Sequence, residues 1–108
     1  ISKKVYTMNS KKRLICHLSA TIANNFTNHM IMTAEKILDD NKINSEILKP
    51  LIKETFNKLN YITTREAQTG PAIRNDYLTI EKHLKELTDS DFLNLYKQIT
   101  KNIKSDEF

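Results

Sequence analysis

Apolar residues recur along this chain at three- and four-residue spacing in four blocks, with short polar or turn-forming segments between them. That period belongs to helices; half-buried strands alternate every second residue. The first block opens at Asn9 or Ser10, either of which can cap a helix by accepting a bond from an orphan N–H of the first turn, and it continues to about Asp40. A second helix is expected from about Ser45 to Asn60, with Leu48, Leu51, Ile52, Phe56 and Leu59 on one face. Pro50 falls in its early turns, where a missing N–H matters least. A loop from Thr63 to Asn75 follows. Asp76 then caps a third helix with Ile80, Leu84 and Leu87 as its stripe, and Asp89 or Ser90 caps a fourth with Phe92, Leu95, Tyr96, Ile99 and Ile103 inward. Lys4 to Met8 is short and β-leaning, and Lys104 to Phe108 is expected to fray. The expected fold is all-α: one long central helix and about three shorter ones, with a short N-terminal strand as an option.

From Leu14 to Ala34 no residue carries a formal charge, apart from what His17 and His29 acquire. A surface helix would carry Lys and Glu there, so this helix is expected to be enclosed by protein on nearly all sides. It is not a membrane span, because Ser19, Thr21, Asn24, Asn25, Thr27, Asn28 and Thr33 interrupt it. At about 100° per residue, His17, Thr21, Asn24 and Asn28 fall in a narrow sector, flanked by Asn25 and His29. Ile15, Ile22, Phe26, Met30 and Ile37 lie opposite. A buried polar group without a partner costs roughly 1–3 kcal/mol, so this polar stripe needs partners: other helices, a symmetric mate, or a ligand in a cleft. The plainer alternative is that each side chain bonds backbone or water.

Composition narrows the chemistry. Charged residues make up 28% and apolar residues 39%, as in a folded soluble domain, and the length suits a single core. Gly70 is the only glycine, where average usage of about 7% would give roughly seven or eight. A Rossmann fingerprint or a phosphate-cradling loop therefore cannot be built from this chain. Cys16 stands alone, which excludes a disulfide framework and a multi-cysteine zinc site, and it is expected to be a buried, inert thiol. The net charge of +4 is modest, with one basic cluster at Lys3, Lys4, Lys11, Lys12 and Arg13. The start lacks a signal-peptide pattern and a methionine, as expected of a piece of a larger cytoplasmic protein.

A second constellation is Thr69-Gly70-Pro71 with Arg74 and Asp76. The Gly-Pro pair fixes a backbone shape that can present N–H groups to an anion, and Arg74 can add a charge-assisted bond to a carboxylate or phosphate. The competing reading is a helix-to-helix turn in which Arg74 pairs with Asp76 or a helix end. His83, between Lys82 and Leu84, reads as a surface residue. No carboxylate pair, metal-ligand cluster or nucleophile beside a base stands out, and no metal is expected.

The segments Ala23-Asn24-Asn25-Phe26-Thr27-Asn28-His29-Met30, Leu48 to Thr55, Ala67-Gln68-Thr69-Gly70-Pro71-Ala72-Ile73-Arg74-Asn75-Asp76 and Thr79 to Leu84 occur in an order that resembles a known arrangement. It is the helical C-terminal domain of unknown function that follows a Rossmann-like NADP-binding domain in bacterial oxidoreductases related to 6-phosphogluconate dehydrogenase-like and pyrroline-carboxylate reductase-like enzymes. The resemblance runs from about Val5 to Ile103. It implies a 6-phosphogluconate dehydrogenase C-terminal-like helical domain that dimerises and closes over the nicotinamide end of NADP or NAD, the cofactor being held mainly by a domain preceding Ile1. On that footing residues 1–8 are the end of, or linker from, the nucleotide-binding domain, and residues 9–108 are the helical domain. The resemblance makes Asn28, His29 and His17 catalytic candidates, and Asn24, Asn25, Thr69, Gly70, Pro71, Arg74 and Asp76 substrate-binding candidates. Where relatives commonly have glycine after the loop arginine, this chain has Asn75.

Three functions compete. The preferred one is the substrate-side and dimerisation domain of an NAD(P)-dependent oxidoreductase, inactive without its nucleotide-binding partner domain, with a homodimeric mate and a small-molecule substrate. A non-catalytic module in which the polar stripe only registers a homodimer is the main rival. A small basic nucleic-acid-binding domain is the weakest, since no helix-turn-helix or aromatic stacking signature supports it.

Overall fold

The computed structural model describes residues 9–105, and every regular element among them is helical. The β-leaning segment Lys4 to Met8 lies outside the described residues. In chain order the helices are α1 (Ser10–Ala20), a π-helical turn (Thr21–Phe26), α2 (Thr27–Asp40), a 3-10 turn (Ser45–Ile47), α3 (Leu48–Lys58), α4 (Thr64–Ala67), α5 (Tyr77–Glu86) and α6 (Ser90–Ser105). The first three run on without a break as one helix of 31 residues. The expected all-α architecture with one long helix is therefore the observed one. Lys104, expected to fray, is part of α6.

The chain divides into two compact units, residues 1–53 and 54–108. In the first, Asn9 caps α1 by accepting the Lys12 N–H at 2.8 Å, as its side chain suggests. The long helix then has to reconcile its sequence with its period. Leu14, Leu18, Ile22, Phe26, Met30, Ala34 and Leu38 are all four residues apart. In a regular α-helix each such step overshoots a turn by about 40°, so the row winds off its face. The π turn, with i→i+5 bonding, takes up roughly one extra residue and sets the following residues back by about 100°. Leu14 to Met30 are thereby kept on one side. The helix ends where Lys42, at φ +59°, lets its own N–H reach the Asp39 carbonyl at 3.0 Å and the Ile43 N–H reach the Leu38 carbonyl at 2.9 Å, a Schellman closure.

Enclosure of this helix, expected from its lack of charge, is not provided by the described chain. No residue from Ser10 to Asp40 is buried, and Leu14, Leu18, Ile22 and Phe26 are 65%, 53%, 52% and 58% exposed. Cys16, expected to be buried, is exposed, as are its neighbours from Ser10 to Ser19. Met30, Ala34 and Leu38, nearer the 3-10 turn, are half-buried.

In the second unit the buried residues are Ala67, Ala72 and Ile80. The segment expected to be loop contains one helical turn, α4. Thr63 and Glu66 close a capping box around it: Thr63 Oγ1 accepts the Glu66 N–H at 3.2 Å, and Glu66 Oε1 accepts the Thr63 N–H at 3.2 Å. Residues 71–75 end in a second Schellman closure. The Asp76 N–H bonds the Pro71 carbonyl at 2.9 Å and the Asn75 N–H bonds the Ala72 carbonyl at 3.2 Å, with Asn75 at φ +55°. Asparagine tolerates that left-handed conformation better than most other non-glycine residues, so Asn75 can hold the turn without a glycine. Asp76 caps α5 through the Thr79 N–H at 3.1 Å, and Asp89 caps α6 through the Phe92 N–H at 2.9 Å. Helices α5 and α6 form an antiparallel hairpin, pinned by His83 Nδ1 against the Tyr96 hydroxyl at 2.7 Å and by the Lys104 ammonium 4.2 Å from the Tyr77 ring centre.

The hydroxyl of Thr79, and then its N–H, hold the Asp76 carboxyl below the usual range; Thr63 does the same for Glu66. A carboxyl lowered in the folded state contributes stability that is complete above the unfolded value, about pH 4, and is lost as pH falls through the folded value. Urea midpoints measured from pH 7 to pH 2 should therefore fall off below about pH 4. An Asp76→Asn, Glu66→Gln variant should be less stable at neutrality and show a flatter acid limb; a parallel limb would remove these two carboxylates from the acid response.

Candidate functional site

The π turn contains Asn24 and Asn25 and decides which side chains on the long helix line up. Counting a uniform 100° per residue groups His17, Thr21, Asn24 and Asn28, but the setback at the π turn changes that grouping. His17, Thr21, Asn25 and His29 form the row that stays aligned, and Asn24 and Asn28 form the neighbouring row with Cys16 and Ala20. The predicted polar face is present with its membership exchanged. Single-turn π segments inside α-helices are often found at functional sites, because they re-aim side chains at some loss of regular bonding.

Availability of these groups differs. Thr21 Oγ1 donates to the His17 carbonyl at 2.9 Å and Thr33 Oγ1 to the His29 carbonyl at 3.0 Å, so both hydroxyls are bound to their own helix. Asn28 Nδ2 makes a 3.6 Å contact with Met32 Sδ. Among the described residues, His17, Asn24, Asn25 and His29 make no side-chain hydrogen bond, and all four are exposed. Two amides and two imidazoles thus face outward with their bonding capacity unused, beside an exposed apolar row.

The loop constellation lies in the other unit. Gly70 adopts φ +104°, which a side-chain-bearing residue rarely does, and a Cβ there would meet nothing within 4 Å. The glycine serves the backbone bend and leaves open space beside it. Pro71 and Asp76 are joined by the Schellman bond, and both Asp76 oxygens are engaged by Thr79, at 3.1 and 2.8 Å. Asp76 is thus committed to the cap. The Arg74 guanidinium is exposed and makes no hydrogen bond or ion pair among the described residues; its charge contributes only weakly to holding the Asp76 carboxyl down. The expected Arg74–Asp76 pair does not form. Thr69 lines a cleft of about 230 Å3 with Lys58, Leu59, Thr64, Ala67 and Gln68. Lys58, Thr64 and Gln68 were not anticipated as site residues. The signal for them was the Thr63-x-x-Glu66 capping box, which turns the chain back so that α4 faces the end of α3.

No residue set here fits a dinucleotide pyrophosphate. The single glycine, Gly70, stands two residues beyond the Gln68 C-cap of the one-turn helix α4 and follows no strand among the described residues, so the glycine-rich turn leading from a strand into a helix N-terminus is not formed there. Among the described residues no group of three or more His, Cys, Asp or Glu could hold a metal ion, and no helix is long and apolar enough to cross a membrane.

Comparison with known proteins places the chain. Residues 1–103 match the sequence profile of a domain of unknown function, DUF2520. The crystal structure of a candidate NADP oxidoreductase from Bacteroides fragilis superposes with a TM-score of 0.88 at 36% identity, over 95% of this chain and 40% of that one. The chain thus spans well under half the length of that relative. No curated protein matches it.

Truncating groups with no partner in the chain should leave folding intact. Asn25→Ala, His29→Ala and Arg74→Ala are each expected to change the unfolding free energy by no more than about 0.5 kcal/mol in urea titrations. Asp76→Ala, which removes a helix cap, should lower it measurably. A large loss in any of the first three would show that the side chain is structural.

Proposed function

The chain belongs to the DUF2520 family, and from that premise we propose that it is the substrate-side and dimerisation domain of an NAD(P)-dependent oxidoreductase whose cofactor is held by a separate nucleotide-binding domain. The observation that carries this reading is the outward-facing set of unused amides and imidazoles at a π turn, next to an uncovered apolar row, on a helix free of formal charge from Leu14 to Ala34. The relative from Bacteroides fragilis, described as an NADP oxidoreductase candidate, supports the reaction class and the use of NADP.

In this proposal Asn24, Asn25 and Asn28 orient a small substrate by hydrogen bonds to its carbonyl or amine, and His29, with His17 on the same row, holds or passes the proton. Arg74 and the Thr69 cleft, with Lys58 beside it, take an acidic group of a substrate. The dinucleotide supplies hydride chemistry when bound to its own domain. A second copy of the chain covers the apolar row, since an uncharged face is self-complementary about a two-fold axis.

Two measurements on the protein carrying both domains test this. His29→Ala should lower turnover by about 10²-fold or more, the range for a lost acid–base group, and Asn28→Ala should lower it through lost substrate orientation, both with the oligomeric state unchanged by light scattering. Full turnover in both variants would leave only the rival role, a polar row that registers a homodimer. Phe26→Asp should shift the light-scattering mass from dimer to monomer, because one carboxylate would be forced into an apolar interface. An unchanged mass would refute this face as the dimer contact.

A further inference from the structure

The α5–α6 hairpin holds a second cleft, of about 210 Å3, that the oxidoreductase role does not use. Its floor is apolar, made by buried Ile80 and half-buried Leu84. Its rim is basic. Lys97, Lys101 and Lys104 follow at spacings of four and three along α6 and so share one face. Tyr96 and Thr100 also line the cleft. No carboxylate lines the cleft, and the three ammonium groups make no ion pair among the described residues.

Two of these groups are positioned by neighbours. The Tyr77 ring lies under the Lys104 ammonium, and His83 holds the Tyr96 hydroxyl, whose burial pushes its pKa up and keeps it neutral. A merely solvated basic face would show neither a recess nor a hydroxyl held in place by a neighbouring side chain. Three like charges around an apolar floor repel one another, and a bound dianion relieves that repulsion more than mobile salt does. The volume lies below the roughly 300–1,000 Å3 of pockets for drug-sized ligands, so the ligand is small.

We propose that this cleft binds a small phosphate monoester, its phosphate bridged by Lys97, Lys101 and Lys104 and its apolar body resting on Ile80 and Leu84. The test is titration of the chain with phenyl phosphate and with inorganic phosphate at constant ionic strength, followed by the amide NMR signals of Thr100 and Lys101. Saturable shifts confined to α5 and α6 are expected, with phenyl phosphate about tenfold tighter than inorganic phosphate because only it covers the floor. Lys97→Gln with Lys101→Gln should weaken phenyl phosphate about tenfold or more with an unchanged far-UV circular dichroism spectrum, while Lys49→Gln with Lys53→Gln should not. Shifts that never saturate and spread over lysines along the whole chain would overturn the proposal. So would equal affinity for the two phosphates, or undiminished affinity in the cleft variant.

Discussion

Seven apolar residues placed four apart cannot stay on one face of a regular α-helix, and the rest of the long helix follows from how that conflict is resolved. From Leu14 to Met30 the row would wind by about 160°, spreading apolar side chains around the cylinder. One π turn removes about 100° of that drift, at the loss of regular i→i+4 bonding over Thr21–Phe26. Once the apolar row is straightened, the polar residues one position earlier are straightened with it. His17, Thr21, Asn25 and His29 align because Leu18, Ile22, Phe26 and Met30 do. The candidate site is in this sense a by-product of the register that the apolar side requires.

Much of the fold was legible because the features that delimit it are local. Asn9, Asp76 and Asp89 cap helices through bonds to residues three positions on, and such bonds depend on nothing distant. The same local logic accounts for α4, since Thr63 and Glu66 stand at capping-box spacing within the segment expected to be loop. Two features were not legible. A sector count assumes one period throughout, so it misassigned Asn24, Asn25, Asn28 and His29 where the π turn changes the period. Burial depends on what packs from elsewhere, and the lack of charge from Leu14 to Ala34 could not say whether this chain or another molecule supplies the cover. Exposed Cys16 is a direct consequence.

The loop shows why residue type alone overstates a site. Thr69, Gly70, Pro71, Arg74 and Asp76 look like one anion-binding group in sequence, yet the structure divides them by duty. Gly70 and Pro71 shape the backbone, and Asp76 spends both carboxylate oxygens on α5. Arg74 and Thr69 remain unspent, and Thr69 opens onto a cleft whose cation, Lys58, comes from α3. Asn75 belongs with the shaping residues: at φ +55° it carries the turn that a glycine would otherwise make.

On the proposed reading, dimerisation and chemistry are not independent properties of the long helix. The apolar row and the polar row differ by one residue position, so they lie only about 100° apart around the same cylinder. Any mate that covers Leu18, Ile22 and Phe26 must border His17, Asn25 and His29 along their whole length. Covering the apolar row therefore walls one side of the polar row and removes water from it, which strengthens every hydrogen bond made there to a substrate. The converse also holds: unused amides and imidazoles at the rim of an apolar interface are tolerable only where water or a ligand still reaches them. The uncharged stretch from Leu14 to Ala34 satisfies both demands, because it offers nothing that would repel a second copy and enough polarity to keep one edge of the interface open.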